Sequence, residues 1–190
     1  AGESSFVSGT QLGTYGSLTL DGVGNWSYVL DNADPDTDGL ALGALVTDSF
    51  IVASADGTTA TITIDVSGSN DAAVIGGTAL GAVVEDATTT ATGSLTVTDA
   101  DAGESSFVSG TQLGTYGSLT LDGVGNWSYV LDNADPDTDG LALGALVTDS
   151  FTVSSLDGTT ATITIDVSGS NDAAVIGGTA LGAVVEDATT

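Results

Sequence analysis

Residues 151–167 read FTVSSLDGTTATITIDV, two alternating apolar and polar runs on either side of Asp157-Gly158. In the second run, every second side chain is apolar: Ala161, Ile163, Ile165 and Val167. This period of two places successive side chains on opposite faces of a β-strand. Because Asp-Gly is a favoured hairpin turn, the stretch predicts a β-hairpin with one face in a core.

The same alternation continues along the chain, with turn sequences every 8–12 residues. It predicts further strands at 73–75, 83–84, 94–97, 107–108, 118–121 and Asn126–Leu131. Segment 141–147 is expected to form a helical turn. About seven short strands in roughly 100 residues predict an all-β fold of the immunoglobulin-like sandwich type.

The chain contains a long internal repeat. Residues 1–89 recur at 102–190, a period of 101 residues, and only three of the 89 positions differ. The differing pairs are Ile51/Thr152, Ala53/Ser154 and Ala55/Leu156. A period of this length suits a self-contained domain in a tandem array. The changed positions alternate with core candidates, so they are expected to face solvent.

The repeat divides the chain into three parts. Residues 73–173 make one complete unit, called repeat 2 below. Residues 1–72, called repeat 1, lack the opening segment that corresponds to 73–101. Residues 174–190, the C-terminal segment, copy much of that opening segment. The chain does not begin with Met, which predicts an excerpt of a longer protein.

The composition excludes several classes of function. The chain has 26 acidic residues, no Lys, Arg or His, and a formal charge of −26. Nucleic acids and anionic membrane surfaces would repel it. Without Cys or His, disulfides, His-based zinc sites and Ser-His triads cannot form. No apolar run approaches the roughly 20 residues of a membrane helix, so membrane insertion is not expected. Hydrophobic residues make up 41%, which predicts a folded body with a cation from solution as counter-charge.

One group of acidic residues falls around the boundary between repeats. Its members are Asn70, Asp71, Glu85, Asp86, Asp99, Asp101 and Glu104, with Asn171, Asp172 and Glu186 as counterparts near the C-terminus. Ca²⁺ takes six to eight oxygens from carboxylates, amides and carbonyls. The grouping predicts a calcium site that bridges two domains, the alternative being acidic loops that are merely solvated.

A second group precedes Gly39 in repeat 1 and Gly140 in repeat 2. It comprises Asp34, Asp36 and Asp38, repeated as Asp135, Asp137 and Asp139. The spacing matches the first half of a calcium-binding loop. Leu45 stands where the helical version of that loop has its bidentate Glu. A second calcium site and a solvated acidic turn both remain open here.

The aromatic residues indicate a core. Trp26 and Tyr28, like Trp127 and Tyr129, are two residues apart and share one strand face. Exposed tryptophans would suggest sugar binding, but a core tryptophan is commoner in sandwiches. Paired carboxylates can hydrolyse glycosides. Because the acidic residues here lie in turns and junctions, catalysis is not expected.

Several motifs occur in one order along the period: 97–104 (VTDADAGE), 116–121 (YGSLTL), 125–129 (GNWSY), 157–161 (DGTTA) and 171–176 (NDAAVI). In this order they resemble the VCBS repeat of giant RTX-type bacterial surface adhesins. The segments around Glu85, Asp99-Ala100-Asp101 and Asn70-Asp71 are similar to cadherin calcium motifs. Ala73 departs from the family, which usually has Pro there, and this implies a less stiff linker.

The resemblance implies a cadherin- or immunoglobulin-like sandwich, type I secretion, and extender domains on the cell surface that calcium folds and stiffens. Neighbouring repeats would then be the main partners. An alternative is an extracellular filament, in which the C-terminal segment of one copy completes repeat 1 of the next by head-to-tail strand donation. A third reading is an adhesive module that binds glycans or proteins.

Overall fold

The computed structural model describes residues 4–183 and 186, and strands dominate it. The elements are β1 Gly9–Leu12, β2 Gly16–Leu20, β3 Trp26–Leu30, α1 Pro35–Asp38, β4 Leu45–Ala53, β5 Thr59–Ser67, β6 Val74–Gly77, β7 Leu80–Val84, β8 Thr90–Thr98, β9 Gly110–Leu113, β10 Gly117–Leu121, β11 Asn126–Leu131, α2 Pro136–Asp139, β12 Leu146–Ser154 and β13 Thr160–Ser168. None of the helices in these residues is long and apolar enough to cross a membrane.

Repeat 2 is a β-sandwich, which confirms the predicted fold class. One layer is a five-stranded sheet with the order β6-β8-β11-β10-β9, and the other has the order β12-β13-β7. The pairs are antiparallel except β7, which lies parallel to β13. Trp127, Tyr129, Phe151, Ile163 and Ile165 fill the space between the layers, each at most 2% exposed. The predicted hairpin 151–167 supplies three of these five side chains.

Repeat 1 contains counterparts of only part of this sandwich. Its sheets are β1-β2-β3 and β4-β5, and residues 4–72 include no counterpart of β6, β7 or β8. The buried core is correspondingly small: Leu18, Leu20, Phe50 and Val52. The prediction of a core tryptophan is therefore confirmed for Trp127 and wrong for Trp26, which is 50% exposed.

Two of the three pairs of positions that differ between the repeats are exposed, as predicted, and the third pair, Ala53 and Ser154, is partly buried. Phe50 and Val52 are buried, whereas Ile51 between them is 67% exposed. Ala55 and its counterpart Leu156 are exposed in the turn that follows the strand. None of the positions that differ lies in the buried core of this hairpin.

Two local predictions are wrong. Segment 141–147 holds a turn and the start of β12, and the helical turn lies earlier, at α2. There Asp135 caps the helix by accepting the N–H of Asp137, and Pro136 opens it, as the fixed φ of proline favours. Phe107 forms only an isolated bridge with Ser155. The strand of this region is β9, whose side chains are all exposed and therefore show no alternating burial.

Candidate metal centre

Three acidic residues meet at the end of repeat 2 that faces repeat 1. We call Asp99, Asp101 and Glu104 cluster A, since each offers a carboxylate oxygen and these oxygens lie within 4.8 Å of one another. Asp99 directly follows β8, and Asp101 is only 2% exposed. Gly103 has φ 91°, a conformation that glycine adopts without strain, and the turn there places Glu104 beside the two aspartates.

Cluster A contains buried oxygens that have no partner in the described part of the chain. They are Asp99 Oδ2, Asp101 Oδ1 and Glu104 Oε2. A buried polar atom without a hydrogen bond costs free energy, and an anionic one costs more. Burial, with the charges of Asp101, Asp99 and Asp157, raises the pKa of Glu104. A hard cation among these oxygens would remove both penalties.

Two hydrogen bonds join repeat 1 to the loop that carries cluster A. The backbone N–H of Asp71 donates to Asp101 Oδ2 at 2.7 Å. The N–H of Ala102 donates to the carbonyl of Gly39 at 3.2 Å. Burial, followed by the charges of Asp38, Asp101 and Asp99, raises the pKa of Asp71. The acidic groups of both repeats therefore share one strongly negative junction.

A second cluster lies at the opposite end of repeat 2. Cluster B consists of Glu85, Asp139 and Asp172, whose carboxylate oxygens also lie within 4.8 Å of one another. Glu85 is 1% exposed, and its Oε2 accepts the N–H of Ser170 at 2.9 Å. Its Oε1 is buried without a partner among the residues described. Burial, then the charges of Glu85, Asp139 and Asp86, raises the pKa of Asp172.

The second predicted group does not stay together as a loop site. Asp34 and Asp135 cap α1 and α2, and Asp36 and Asp137 lie in the first helical turn. The last aspartate of each helix lies at a junction instead. Asp139 belongs to cluster B, and Asp38 is close enough to Asp71 for its charge to act on it. The sequence grouped these residues by spacing, whereas the fold divides them between a helix cap and a junction.

The remaining predicted ligands lie beside the clusters. Asn70 and Asn171 each donate a side-chain N–H to the carbonyl of the next residue, Asp71 and Asp172. Glu186 is exposed and is outside both clusters.

Asp157, which binds the backbone at the start of repeat 2, was not identified in the sequence analysis. Asp157 Oδ2 accepts the backbone N–H of Ala73 at 3.0 Å and also binds the hydroxyl of Thr159. The bond from Ala73, followed by those from Ser155 and Thr159, lowers the pKa of Asp157. Asp157 and Ala73 are 84 residues apart. No local pattern distinguishes this Asp from an ordinary turn residue.

The two clusters correspond to two sides of one kind of junction. Asp38 and Asp71 occupy the positions of Asp139 and Asp172, one period earlier. Cluster A is the set of acids that a repeat contributes to the junction before it. Cluster B is the set of acids that a repeat contributes to the junction after it.

Comparison with protein families finds a match to the bacterial cadherin-like domain over residues 70–169. Comparison with curated proteins finds no match. Among solved structures, the protocadherin GammaB4 extracellular domain is 13% identical over 86% of this chain and 26% of its own, with a TM-score of 0.46. The protocadherin gammaB7 EC3-6 cis-dimer is 16% identical over 86% of this chain and 38% of its own, with a TM-score of 0.43.

A further similar structure is described as a Ca²⁺-stabilised adhesin that helps an Antarctic bacterium reach out and bind ice. It is 20% identical over 87% of this chain and 41% of its own, with a TM-score of 0.25. The chain thus spans less than half the length of each of these three structures. At such identities and scores, these likenesses carry no argument about function.

Proposed function

The chain belongs to the bacterial cadherin-like domain family, and from that premise we propose that it is part of a calcium-stiffened spacer in a bacterial surface adhesin. In this proposal residues 73–173 form one full unit, 1–72 belong to the unit before it, and 174–190 open the next. The role is mechanical and non-catalytic. The VCBS-like motifs support secretion by the type I route and display outside the cell.

The observation that carries the proposal is the set of buried carboxylate oxygens, at both ends of repeat 2, that have no partner among residues 4–183 and 186. A chain without cationic side chains has no means of its own to neutralise them. Carboxylate oxygens in this number and proximity are the donors that Ca²⁺ prefers.

The repeat period indicates how large a full junction is. The preceding repeat would contribute Glu85, Asp86, Asp139 and Asp172, and the following repeat would contribute the counterparts of cluster A. Since one Ca²⁺ takes six to eight oxygens, seven carboxylates have oxygens for more than one ion. Ions held between two repeats would limit bending at the linker.

The energetic effect follows from mass action. Extracellular calcium modules bind with Kd of roughly 10⁻⁴–10⁻³ M. At a hundredfold excess over Kd, each site adds about 2.7 kcal/mol to the free energy of unfolding, a large share of the stability of one domain. At low calcium inside a cell the carboxylates would repel one another, which favours the unfolded chain that secretion through a channel requires.

The test is calcium titration by calorimetry together with small-angle X-ray scattering, with and without a chelator. The variant Asp99→Asn/Asp101→Asn removes two charges from cluster A. Asp65→Asn/Asp166→Asn removes two charges from exposed strand positions outside both clusters and is the matched control. We expect the chelator to lower Tm and increase flexibility, and only the first variant to lose calcium binding. Identical scattering and melting with and without chelator would contradict the proposal.

A second candidate function is assembly into an extracellular filament. Trp26 is half exposed, whereas β7 and β8 cover Trp127 in repeat 2. The C-terminal segment copies residues 73–89, and its Val175, Ile176 and Leu181 are at least 90% exposed. In a second copy, this segment would add strands to repeat 1 as β6 and β7 do in repeat 2.

Light scattering across a concentration series tests this second candidate. Head-to-tail strand donation predicts a ladder of oligomers that Leu181→Asp shortens. A monomer at every concentration would exclude it. The adhesive-module alternative requires an exposed Trp127, and Trp127 is buried.

A further inference from the structure

We propose that Asn133 is a positioning residue for the calcium ligands of cluster B, an inference that rests on the proposed calcium site. Asn133 forms a reciprocal pair with Asp86, the residue that follows Glu85. The N–H of Asp86 donates to Asn133 Oδ1 at 2.9 Å. Asn133 Nδ2 donates to Asp86 Oδ1 at 2.5 Å. The carbonyl oxygen and the NH₂ group of the Asn133 amide thus both bind Asp86.

The pair holds an unusual backbone conformation in place. Asp86 has φ 58°, and it is the one non-glycine residue in the described part of the chain with a positive φ. L-residues rarely adopt this region, and such conformations persist where the surroundings fix them. The bond from the Asp86 N–H fixes the peptide between Glu85 and Asp86. The orientation of that peptide sets the direction in which Glu85 leaves the end of β7.

The same pair joins the segments that carry the ligands. Asn133 lies in the short loop between β11 and α2, and α2 ends at Asp139 of cluster B. Asp86 lies 47 residues earlier, beside Glu85. The hydroxyl of Ser170, two residues before Asp172, donates to Asp86 Oδ2 at 3.4 Å. All three segments of cluster B therefore meet at Asp86, and Asn133 connects two of them.

The chemistry of asparagine suits this position. Its amide offers one acceptor and two donors without charge, so it can bind the N–H and the carboxylate of Asp86 together. An aspartate would keep the acceptor, lose the donor and add a repelling charge to an acidic site. Groups that orient metal ligands in this way are worth about 10- to 100-fold in metal affinity.

The chain contains its own control. Asn32 has the same neighbours as Asn133 in sequence, but residues 4–72 include no counterpart of Asp86. If Asn133 acts through Asp86, then Asn32→Ala should leave calcium affinity nearly unchanged. If an asparagine in this loop simply adds polarity or binds calcium itself, both substitutions should weaken binding.

The experiment measures calcium binding by calorimetry on the full chain carrying Asp99→Asn/Asp101→Asn, so that cluster B dominates the signal. We expect Asn133→Ala to raise Kd about 10- to 100-fold and Asn133→Asp to raise it at least as much. Asn32→Ala is measured in the chain with cluster A intact, because Asn32 belongs to repeat 1, and there it should change Kd less than twofold. Melting in chelator measures stability separately, and a loss of Tm there with an unchanged Kd would mean a structural role only and overturn the inference.

Two further outcomes separate the proposals. Equal weakening by Asn133→Ala and Asn32→Ala would overturn the inference while leaving the calcium site in place. An unaltered 190-residue chain that binds no calcium would overturn both the proposed function and the inference that rests on it.

Discussion

Repeat 1 and repeat 2 differ at only three of the 72 positions that they share, yet their interiors are different. Trp26 is 50% exposed and Leu30 38%, whereas Trp127 is 2% exposed and Leu131 4%. Residues 25–30 and 126–131, which contain these side chains, have the same sequence. The difference shows that burial in this sandwich depends on a partner segment, because residues 4–72 include no counterpart of β6, β7 or β8.

The fit of that partner segment is close. A side chain at Gly93 would place its Cβ 2.4 Å from Trp127 Cζ2, and one at Gly81 would lie 2.9 Å from Trp127 Cη2. The indole N–H donates to the carbonyl of Thr78 at 2.8 Å. Glycines in β7 and β8 therefore create the space for the ring, and the backbone before β7 satisfies its polar atom.

The largest expected effect comes from removing the tryptophans. Trp127→Ala should lower the free energy of unfolding of repeat 2 by about 3–5 kcal/mol, because the ring is buried and leaves a cavity. Trp26→Ala should cost roughly half of that or less, since half of its surface is already in water. Urea denaturation followed by circular dichroism measures both. Equal losses would mean that Trp26 is also covered in solution, for example by another copy.

Removing the hydroxyl groups of Tyr129 and Tyr28 should also destabilise repeat 2 more than repeat 1, by a smaller difference than for the tryptophans. Tyr129 donates to Asp149 Oδ2 and Tyr28 to Asp48 Oδ2, each at 2.8 Å. Tyr129→Phe should cost about 1.5–3 kcal/mol, because a buried carboxylate loses a donor. At Tyr28, which is partly exposed, water can take over, so Tyr28→Phe should cost less. Chemical denaturation of the two variants compares their losses in free energy of unfolding. A larger loss for Tyr28→Phe than for Tyr129→Phe would contradict the prediction.

Alkaline pH should destabilise repeat 1 through Tyr28. Burial, followed by the hydrogen bond and the charge of Asp48, raises the pKa of Tyr28 from 10.0 to about 12. A raised folded pKa gives stability that is complete below pH 10 and is lost as the pH rises through about 12. A Trp127→Phe background leaves Trp26 as the fluorescent reporter of repeat 1. Tyr28→Phe should remove this pH dependence, and an unchanged alkaline transition would refute the assignment.

The smallest effect is expected where the repeats differ in sequence. Ile51→Thr gives repeat 1 the residue that repeat 2 has at position 152, and both positions are exposed. The free energy of unfolding should change by less than about 0.5 kcal/mol. Thr152→Ile is the reverse control. A loss of several kcal/mol in calorimetry would show that this face is covered.

Much of the fold was predictable because it depends on local alternation. The hairpin around Asp157-Gly158 forms as expected, with Ile163 and Ile165 fully buried. Strand β9 escaped prediction because none of its side chains is buried, so its sequence carries no period. The helical turn expected at 141–147 forms instead at α2, because its formation depends on a cap and a proline and not on apolar spacing.

For the candidate site, the sequence predicted only that several acidic residues lie near the boundary between two repeats. Glu85 and Asp172 are 87 positions apart, and nothing local shows that they share a cluster with Asp139. Asn133 carries no recognisable motif, because its importance comes from a contact with Asp86 across two loops. Such contacts depend on how the strands are packed.

Composition and period alone determine that this chain is an all-anionic tandem array of β-domains, since charge counts and side-chain alternation need no knowledge of distant neighbours. Tertiary structure decides which copy of a tryptophan is buried and which acids face one another. The physical reason is that burial and charge repulsion act between segments far apart in sequence, and only packing brings those segments together.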